Sequence, residues 1–378
     1  MSRTLALIVV MALAAASACA STLTIGLLQR ADDERLAPQR IALAYPGHPQ
    51  GPARQGAEVA IAESKFQLEA AQLSVKLEVV DVGSADDARS AARRLHRAGA
   101  SAVLVDLPAP LLLAAADAAP VTLFNIGAAD DALREAQCRG NVVHVLPSER
   151  MRADALAQVL VARRWQRVLL LHGPGAQDAK RLASVQGALK RFGLKTVAQR
   201  PFKLAADPRE RELAHPLLLT GGVEHDVVWV VDSDGEFARG LPYRTALPRP
   251  VVGDAGLTAL AWQGRYERHG APQLAHRFER HAGRAMTDHD WAAWLAVRAV
   301  LQSALERRSW TAPDFSVDGF KGVRLSIRAW DHQVRQPLLL GDGQGVVATA
   351  PVEGVLHPRE VLDTLGTDAP ERLCKVVP

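Results

Sequence analysis

Short apolar runs alternate along the chain with longer stretches in which apolar positions return every three or four residues, a pattern that predicts strands followed by helices. Strands are expected over 22–28, 75–82, 101–106, 121–125 and 141–146, with helices over 56–70 and 86–98 between them. A second series then begins. It reads as a helix from Ser148 to Val161, strand 168–171, helix 177–192, strand 196–201, a helix near 209–218, and strands 226–232 and 250–253. After a long helix over 288–305, strands over 323–330, 336–341 and 346–350 are separated by turns alone, an antiparallel finish. The expected class is α/β. Strands alternating with helices of this length form right-handed βαβ units, whose parallel sheets carry helices on both faces.

The change from one series to the next lies in 141–175. Pro147 stops the run 141–146, because proline donates no ladder hydrogen bond and pushes its predecessor out of helical space. Ser148 and Glu149 then supply a helix cap and a first-turn negative charge, and Met151, Ala155, Leu156, Leu160 and Val161 follow at helical spacing. Trp165 ends that pattern. Gly173-Pro174-Gly175 makes a turn at the carboxyl end of the next strand, the place where open α/β sheets bind ligands.

Residues 1–20 form an export leader: Arg3, an apolar stretch from Leu5 to Ala16 too short to span a bilayer, and an Ala18-Cys19-Ala20 cleavage signal. Ala16-Ser17-Ala18-Cys19 also loosely resembles a lipobox, which would anchor the protein through lipid on Cys19. Either route exports the chain, and no later segment of the mature chain has the eighteen consecutive apolar residues of a membrane span. A 378-residue chain exceeds one ordinary core and suggests two lobes. Its 48% hydrophobic and 23% charged residues are ordinary for a globular protein. The net charge of +4 is spread without a basic block, so no nucleic-acid partner is indicated. Once Cys19 leaves with the leader, Cys138 and Cys374 remain in an oxidising compartment, either as a disulfide tying the tail to the first lobe or as two buried thiols.

Several motifs carry no chemistry. Asp232-Ser233-Asp234-Gly235 lacks the rest of a calcium loop and reads as a strand-to-helix turn. Gly341-Asp342-Gly343-Gln344-Gly345 joins two strands, which makes it a hairpin turn rather than a phosphate cradle. The chain has no P-loop, nucleophile elbow or paired-histidine zinc motif, so it is expected not to be an enzyme. His281 and His289 are expected at the surface, and Trp291 and Trp294 as a core stripe.

The order of elements, the length and the leader together resemble the type I periplasmic solute-binding proteins, which include the leucine, isoleucine and valine receptors of ABC importers. The segments RAWDHQVRQPLLL (328–340) and LDTLGTDAPERLC (362–374) are more narrowly similar to a subgroup associated with PQQ-dependent alcohol dehydrogenase systems. The resemblance implies two doubly wound lobes, 21–146 with 254–331 and 147–253 with 332–355, followed by a tail at 356–378. Three crossings join them, at Leu146-Pro147-Ser148, Val251-Val252-Gly253-Asp254 and 331–337. It further implies a periplasmic receptor without a cofactor that delivers a small solute to permease and ATPase subunits, and it makes Cys138 and Cys374 family positions for a bridge.

In that family the amino-acid ligand is held by hydroxyls and amides after the third and fourth strands. Here those loops read DLPAP (106–110) and NIGAADD (125–131) and contain no hydroxyl, which argues against an α-amino acid. The loops expected to face the cleft are acidic instead. Asp32, Asp33, Asp106, Asn125, Asp130 and Asp131 come from the first lobe, with Glu34 beside them. The second lobe adds His172, Asp232 and Asp234, with Asp178 and Glu236 nearby. Such a set suits a cation, even a hard metal ion such as calcium or a lanthanide; helix and turn capping explains much of it equally well. Arg134 and Arg150 are the arginines nearest these loops. Three functions stay open: a solute receptor, an exported enzyme or redox accessory, and an accessory protein that delivers a metal or cofactor to the dehydrogenase.

Overall fold

The computed structural model describes residues 21–204 and 207–375, so the leader and the lipid-anchor reading of Cys19 lie outside the described residues. The first parallel sheet contains β1 (Ser21–Arg30), β2 (Leu73–Val82), β3 (Ala102–Asp106), β4 (Leu123–Asn125) and β5 (Val142–His144), in the order β2-β1-β3-β4-β5. The second contains β6 (Arg167–His172), β7 (Lys195–Pro201), β8 (Val227–Val231) and β9 (Val251–Gly253), in the order β7-β6-β8-β9. Both are the doubly wound α/β sheets expected. Central strands β3 and β8 are buried at every position, as apolar runs covered on both faces must be.

The remaining strands are β10 (Thr258–Leu260), β11 (Val317–Asp318), β12 (Arg324–Leu325), β13 (Leu338–Gly341) and β14 (Val346–Ala350). β10, β13 and β14 form an antiparallel sheet, with the expected hairpin turn between the last two. The strand expected over 323–330 shrinks to Arg324–Leu325, because Arg328 turns inward to a buried cluster instead of continuing a ladder.

Helix Glu149–Ala162 starts where expected, with the Ser148 hydroxyl accepting from the Met151 amide. The helix expected over 56–70 breaks at Ser64, whose hydroxyl bonds back to the Ala60 carbonyl. Pro216 similarly divides 209–218 into a 3₁₀ segment and the short helix Pro216–Thr220. Helices Ala109–Ala118 and Ala271–Ala282 were not anticipated. The first is apolar on nearly every face and so lacks a helical period; the second is flanked by Gly270 and Gly283, both with positive φ.

Buried side chains hand over between the two cores from Leu146 to Met151 and from Ala259 to Ala261, and after Val334 they alternate, with Leu338 and Leu340 in the second core and Leu339 in the first. Val252 and Ala259 both pack in the second core. Cys138 and Cys374 are joined by a disulfide, with Cα atoms 5.7 Å apart. No helix among the described residues is long and apolar enough to cross a membrane.

Candidate functional site

Loops at the carboxyl ends of both parallel sheets line one cavity of about 490 Å³. From the first sheet come Arg30 at the end of β1, Pro108 after β3, Gly127 to Asp130 after β4 and Leu146 after β5. Ser233 and Asp234 after β8 and Asp254 after β9 face them from the second. Topology places the site, because the strand order reverses beside β1 and beside β6 and neighbouring loops diverge there. Gly127 is required at its turn, since a Cβ there would stand 2.7 Å from both Asp106 Oδ1 and the Leu107 amide nitrogen.

The wall carries both signs of charge. Arg30, Arg35, Arg40, Arg152 and Arg181 reach it, and so do Glu34, Asp130, Glu149, Asp234 and Asp254. Three of the arginines are already engaged. Arg35 donates to Asp33 (2.7 Å) and Asp106 (3.0 Å), and Arg152 donates to Asp288 (2.8 Å) and to the Ala259 carbonyl (3.2 Å). Arg181 donates to Glu149 (3.2 Å) and Asp254 (3.0 Å). Burial pushes the Glu149 carboxyl up, against the opposing pull of Arg181 and Arg152. Arg30 and Arg40 have no ion-pair partner among the described residues.

Besides the Arg152–Asp288 pair, further contacts join the residues on either side of this cavity. The Tyr45 hydroxyl donates to the Ser233 carbonyl at 2.9 Å, and Lys180 Nζ lies 2.9 Å from Asp130. Gly235, at φ +73°, admits the Tyr45 ring, since a Cβ there would lie 2.3 Å from it. Burial raises the Tyr45 phenol to about 12, so it remains a donor through the neutral range. His289, expected at the surface, instead lines the cavity. Its Nδ1 is buried without a partner, 3.9 Å from Asp106 Oδ1, and burial followed by the charge of Arg35 holds the ring below the usual imidazole range.

The acidic set does not converge. Of the site residues expected from sequence, Asp130 and Asp234 line the cavity. Asp32 is exposed; Asp33 and Asp106 hold Arg35. Asn125 shapes its own loop, accepting from the Ala128 amide at 2.9 Å and donating to the Ala128 carbonyl at 2.7 Å. Asp131 accepts from the Arg150 amide at 2.8 Å, and half-buried His172 lies beside its neighbouring carbonyl on Gly173. Glu34 lines the cavity, Asp178 accepts from the Ser233 amide and Glu236 is exposed. Among the described residues no group of three or more His, Cys, Asp or Glu side chains is placed to hold a metal ion. Arg134 and Arg150 are spent elsewhere, Arg134 on the Leu146 carbonyl and Arg150 on Glu371. The cavity arginines were missed; Glu149, Arg152 and Leu156 share one helical face just past the first crossing, but which way that face points is set by packing.

Asp232 is buried behind Asp234, where it accepts from the Ala238 amide at 2.7 Å. Burial first, and then the carboxylates of Asp234 and Asp254, push its carboxyl from 3.8 up to about 7. A raised folded value means that its contribution is fully present below pH 3.8 and is lost as pH rises through about 7. Because the penalty for the buried carboxylate grows steadily from pH 3.8 to about 7, Asp232→Asn is expected to raise stability more at pH 8 than at pH 5, by at least about 1 kcal/mol. Urea unfolding at the two pH values measures this; equal effects at both would contradict it.

No protein-family model matches the chain, and no curated protein matches it in sequence. Solved structures do resemble it. A periplasmic binding protein from Burkholderia mallei superposes with a TM-score of 0.65 at 15% identity, over 94% of this chain and 99% of that one. A branched-chain amino acid transporter substrate-binding protein from Streptococcus pneumoniae, in complex with isoleucine, gives 0.62 at 15% identity over 87% and 99%. An ABC transporter solute-binding protein from R. palustris, in complex with benzoate, gives 0.61 at 14% identity over 87% and 96%. The chain thus has the fold of the type I periplasmic binding proteins over nearly its full length.

Proposed function

We propose that this chain is the solute receptor of an ABC importer, working in the periplasm with permease and ATPase subunits, and that its ligand is a small organic molecule bearing a carboxylate. What carries this is the cavity wall, where five arginines arrive from both lobes and Arg30 and Arg40 have no carboxylate within ion-pair distance among the described residues. An incoming carboxylate meets cationic donors there, which form the stronger class of hydrogen bond. A ligand touching both walls favours the closed arrangement, and no bond need be broken. The ligands named for the similar structures, isoleucine and benzoate, are both carboxylates. A hard cation is a poorer fit, because the carboxylates are spent on arginines and backbone amides rather than gathered.

The moving units are the expected lobes, 21–146 with 254–331 and 147–253 with 332–355, with residues 254–260 transferred to the second because Ala259 packs in its core. The association with a PQQ-dependent alcohol dehydrogenase rests on segments 328–340 and 362–374 alone, none of whose residues lines the cavity. PQQ, itself a polycarboxylate, meets the charge requirement and belongs among the candidate ligands.

Calorimetric titration of the mature protein against benzoate, isoleucine, PQQ, calcium and a lanthanide tests this. A carboxylate is expected to bind, and Arg30→Ala and Arg40→Ala each to weaken it by roughly 1.5–3 kcal/mol, the usual worth of a hydrogen bond to a charged group. Binding of calcium or the lanthanide with all three carboxylates inert would sink the assignment.

A further inference from the structure

We propose that the C-terminal segment from Val352 to Cys374 is a strap across the hinge, pinned covalently to the first lobe, which restricts how far the two lobes separate. The proposal rests on the two-lobed receptor reading above but concerns a part of the molecule remote from the ligand.

The segment is anchored in three places. On the second lobe, the Val352 amide donates to Gln158 Oε1 and the Gly366 amide to Asp154 Oδ2, each at 2.9 Å, while Leu365 is fully buried in the second core. Gly366, at φ +86°, passes so close that a Cβ would lie 2.7 Å from the Met151 side chain. On the first lobe just before the third crossing, the fully buried Arg328 donates to the carbonyls of Leu362 (3.0 Å) and Leu365 (2.6 Å) and to Asp363 (2.9 Å), and Trp330 Nε1 donates to the Thr367 carbonyl (3.1 Å). On the first lobe, Thr367 reaches Glu135 at 3.2 Å, and Cys374 is bonded to Cys138, 236 residues earlier, in the loop between β4 and β5.

Helix Glu149–Ala162 makes the mechanical consequence plain. Its Glu149, Arg152 and Leu156 face the cavity, and its Met151, Asp154 and Gln158 lie on the opposite side against the strap. Arg150 adds a non-covalent clasp, 2.6 Å from Glu371 of the strap and 3.7 Å from Glu135 of the first lobe. When the second lobe swings away, this helix carries the strap with it, while the disulfide holds the strap's far end in place. Motion then has to break the Arg150, Glu371 and Glu135 contacts against a fixed end; without the covalent pin the part of the strap beyond Thr367 can leave the first lobe and travel with the second, while Arg328 and Trp330 still hold its middle.

Small-angle X-ray scattering of the ligand-free mature protein tests this, comparing wild type with Cys374→Ser and with Cys138→Ser/Cys374→Ser. Circular dichroism verifies that each variant is folded at the working temperature. The variants are expected to show a larger radius of gyration and a broader interlobe distance distribution, with Glu371→Gln shifted in the same direction by less. A purely stabilising bridge would lower the melting temperature and leave the scattering curve of the folded protein unchanged, and that result overturns the proposal. No ligand is needed, so failure of benzoate, isoleucine and PQQ to bind would count against the receptor reading and leave the scattering comparison decisive for the strap.

Discussion

Replacing Arg328 by Met is expected to destabilise the protein by about 3–5 kcal/mol, the usual cost of removing one partner from a buried charge cluster. The guanidinium has no exposed side-chain surface, and Asp363 and Asp331 lie 2.9 and 3.7 Å from it. Methionine keeps most of the volume. It leaves the Leu362 and Leu365 carbonyls without their donor and deprives buried Asp331 of its nearest cation, although Arg335 still reaches Asp363 at 2.8 Å. Set against a total stability of about 5–15 kcal/mol, a loss of this size moves the urea midpoint far. Arg328→Lys should recover little, since one ammonium cannot span the carboxylate and the carbonyls together. A midpoint within experimental scatter of wild type would mean that the cluster contributes nothing net.

Gly56→Val is expected to cost at least about 2 kcal/mol through overpacking and to weaken solute binding as well. Gly56 lies on helix Arg54–Glu63 against helix Asp288–Glu306, and a Cβ at this position would stand 2.1 Å from the Asp290 carbonyl oxygen. That oxygen is backbone, so no rotamer change relieves the clash and the helices must part. The same helix start carries His289 of the cavity wall and Asp288, which holds Arg152 and accepts from the Trp262 amide at 2.7 Å. Parting the helices thus displaces the wall as well as loosening the core. Chemical denaturation measures the first effect and calorimetric titration against benzoate, isoleucine and PQQ the second; a variant matching wild type in both would contradict the close-packing account.

The fold was legible wherever burial imposes a period. Ser148 capping a helix after Pro147, and apolar β3 and β8, follow from the local sequence, and they fix the doubly wound halves. Helix Ala109–Ala118 hid because alanine and leucine on all sides leave no polar face to mark. The site was less legible. Acidic residues in strand-end loops drew attention as ligands, yet most of them cap turns or neutralise arginines, and which of these they do depends on neighbours far away in the chain: Asp106 meets Arg35, and Asp254 meets Arg181. Arg152 and Arg181 belong to helices, so only the packing of those helices shows that they face the cavity. His289 was misplaced for the same reason, since a histidine at a helix start carries no sign of which way the helix points.

The matched charges of the cavity wall also bear on how quickly a solute is caught. Arg35, Arg152 and Arg181 come with their own carboxylates, and Arg30 and Arg40 are answered by Glu34 and Asp234, which have no ion-pair partner among the described residues. From a distance such a mouth presents little net potential, so an anion drifts in by ordinary diffusion and is gripped only at close range. Its capture rate should stay nearly flat across dilute and salty media, where an electrostatically funnelled entrance would slow steeply.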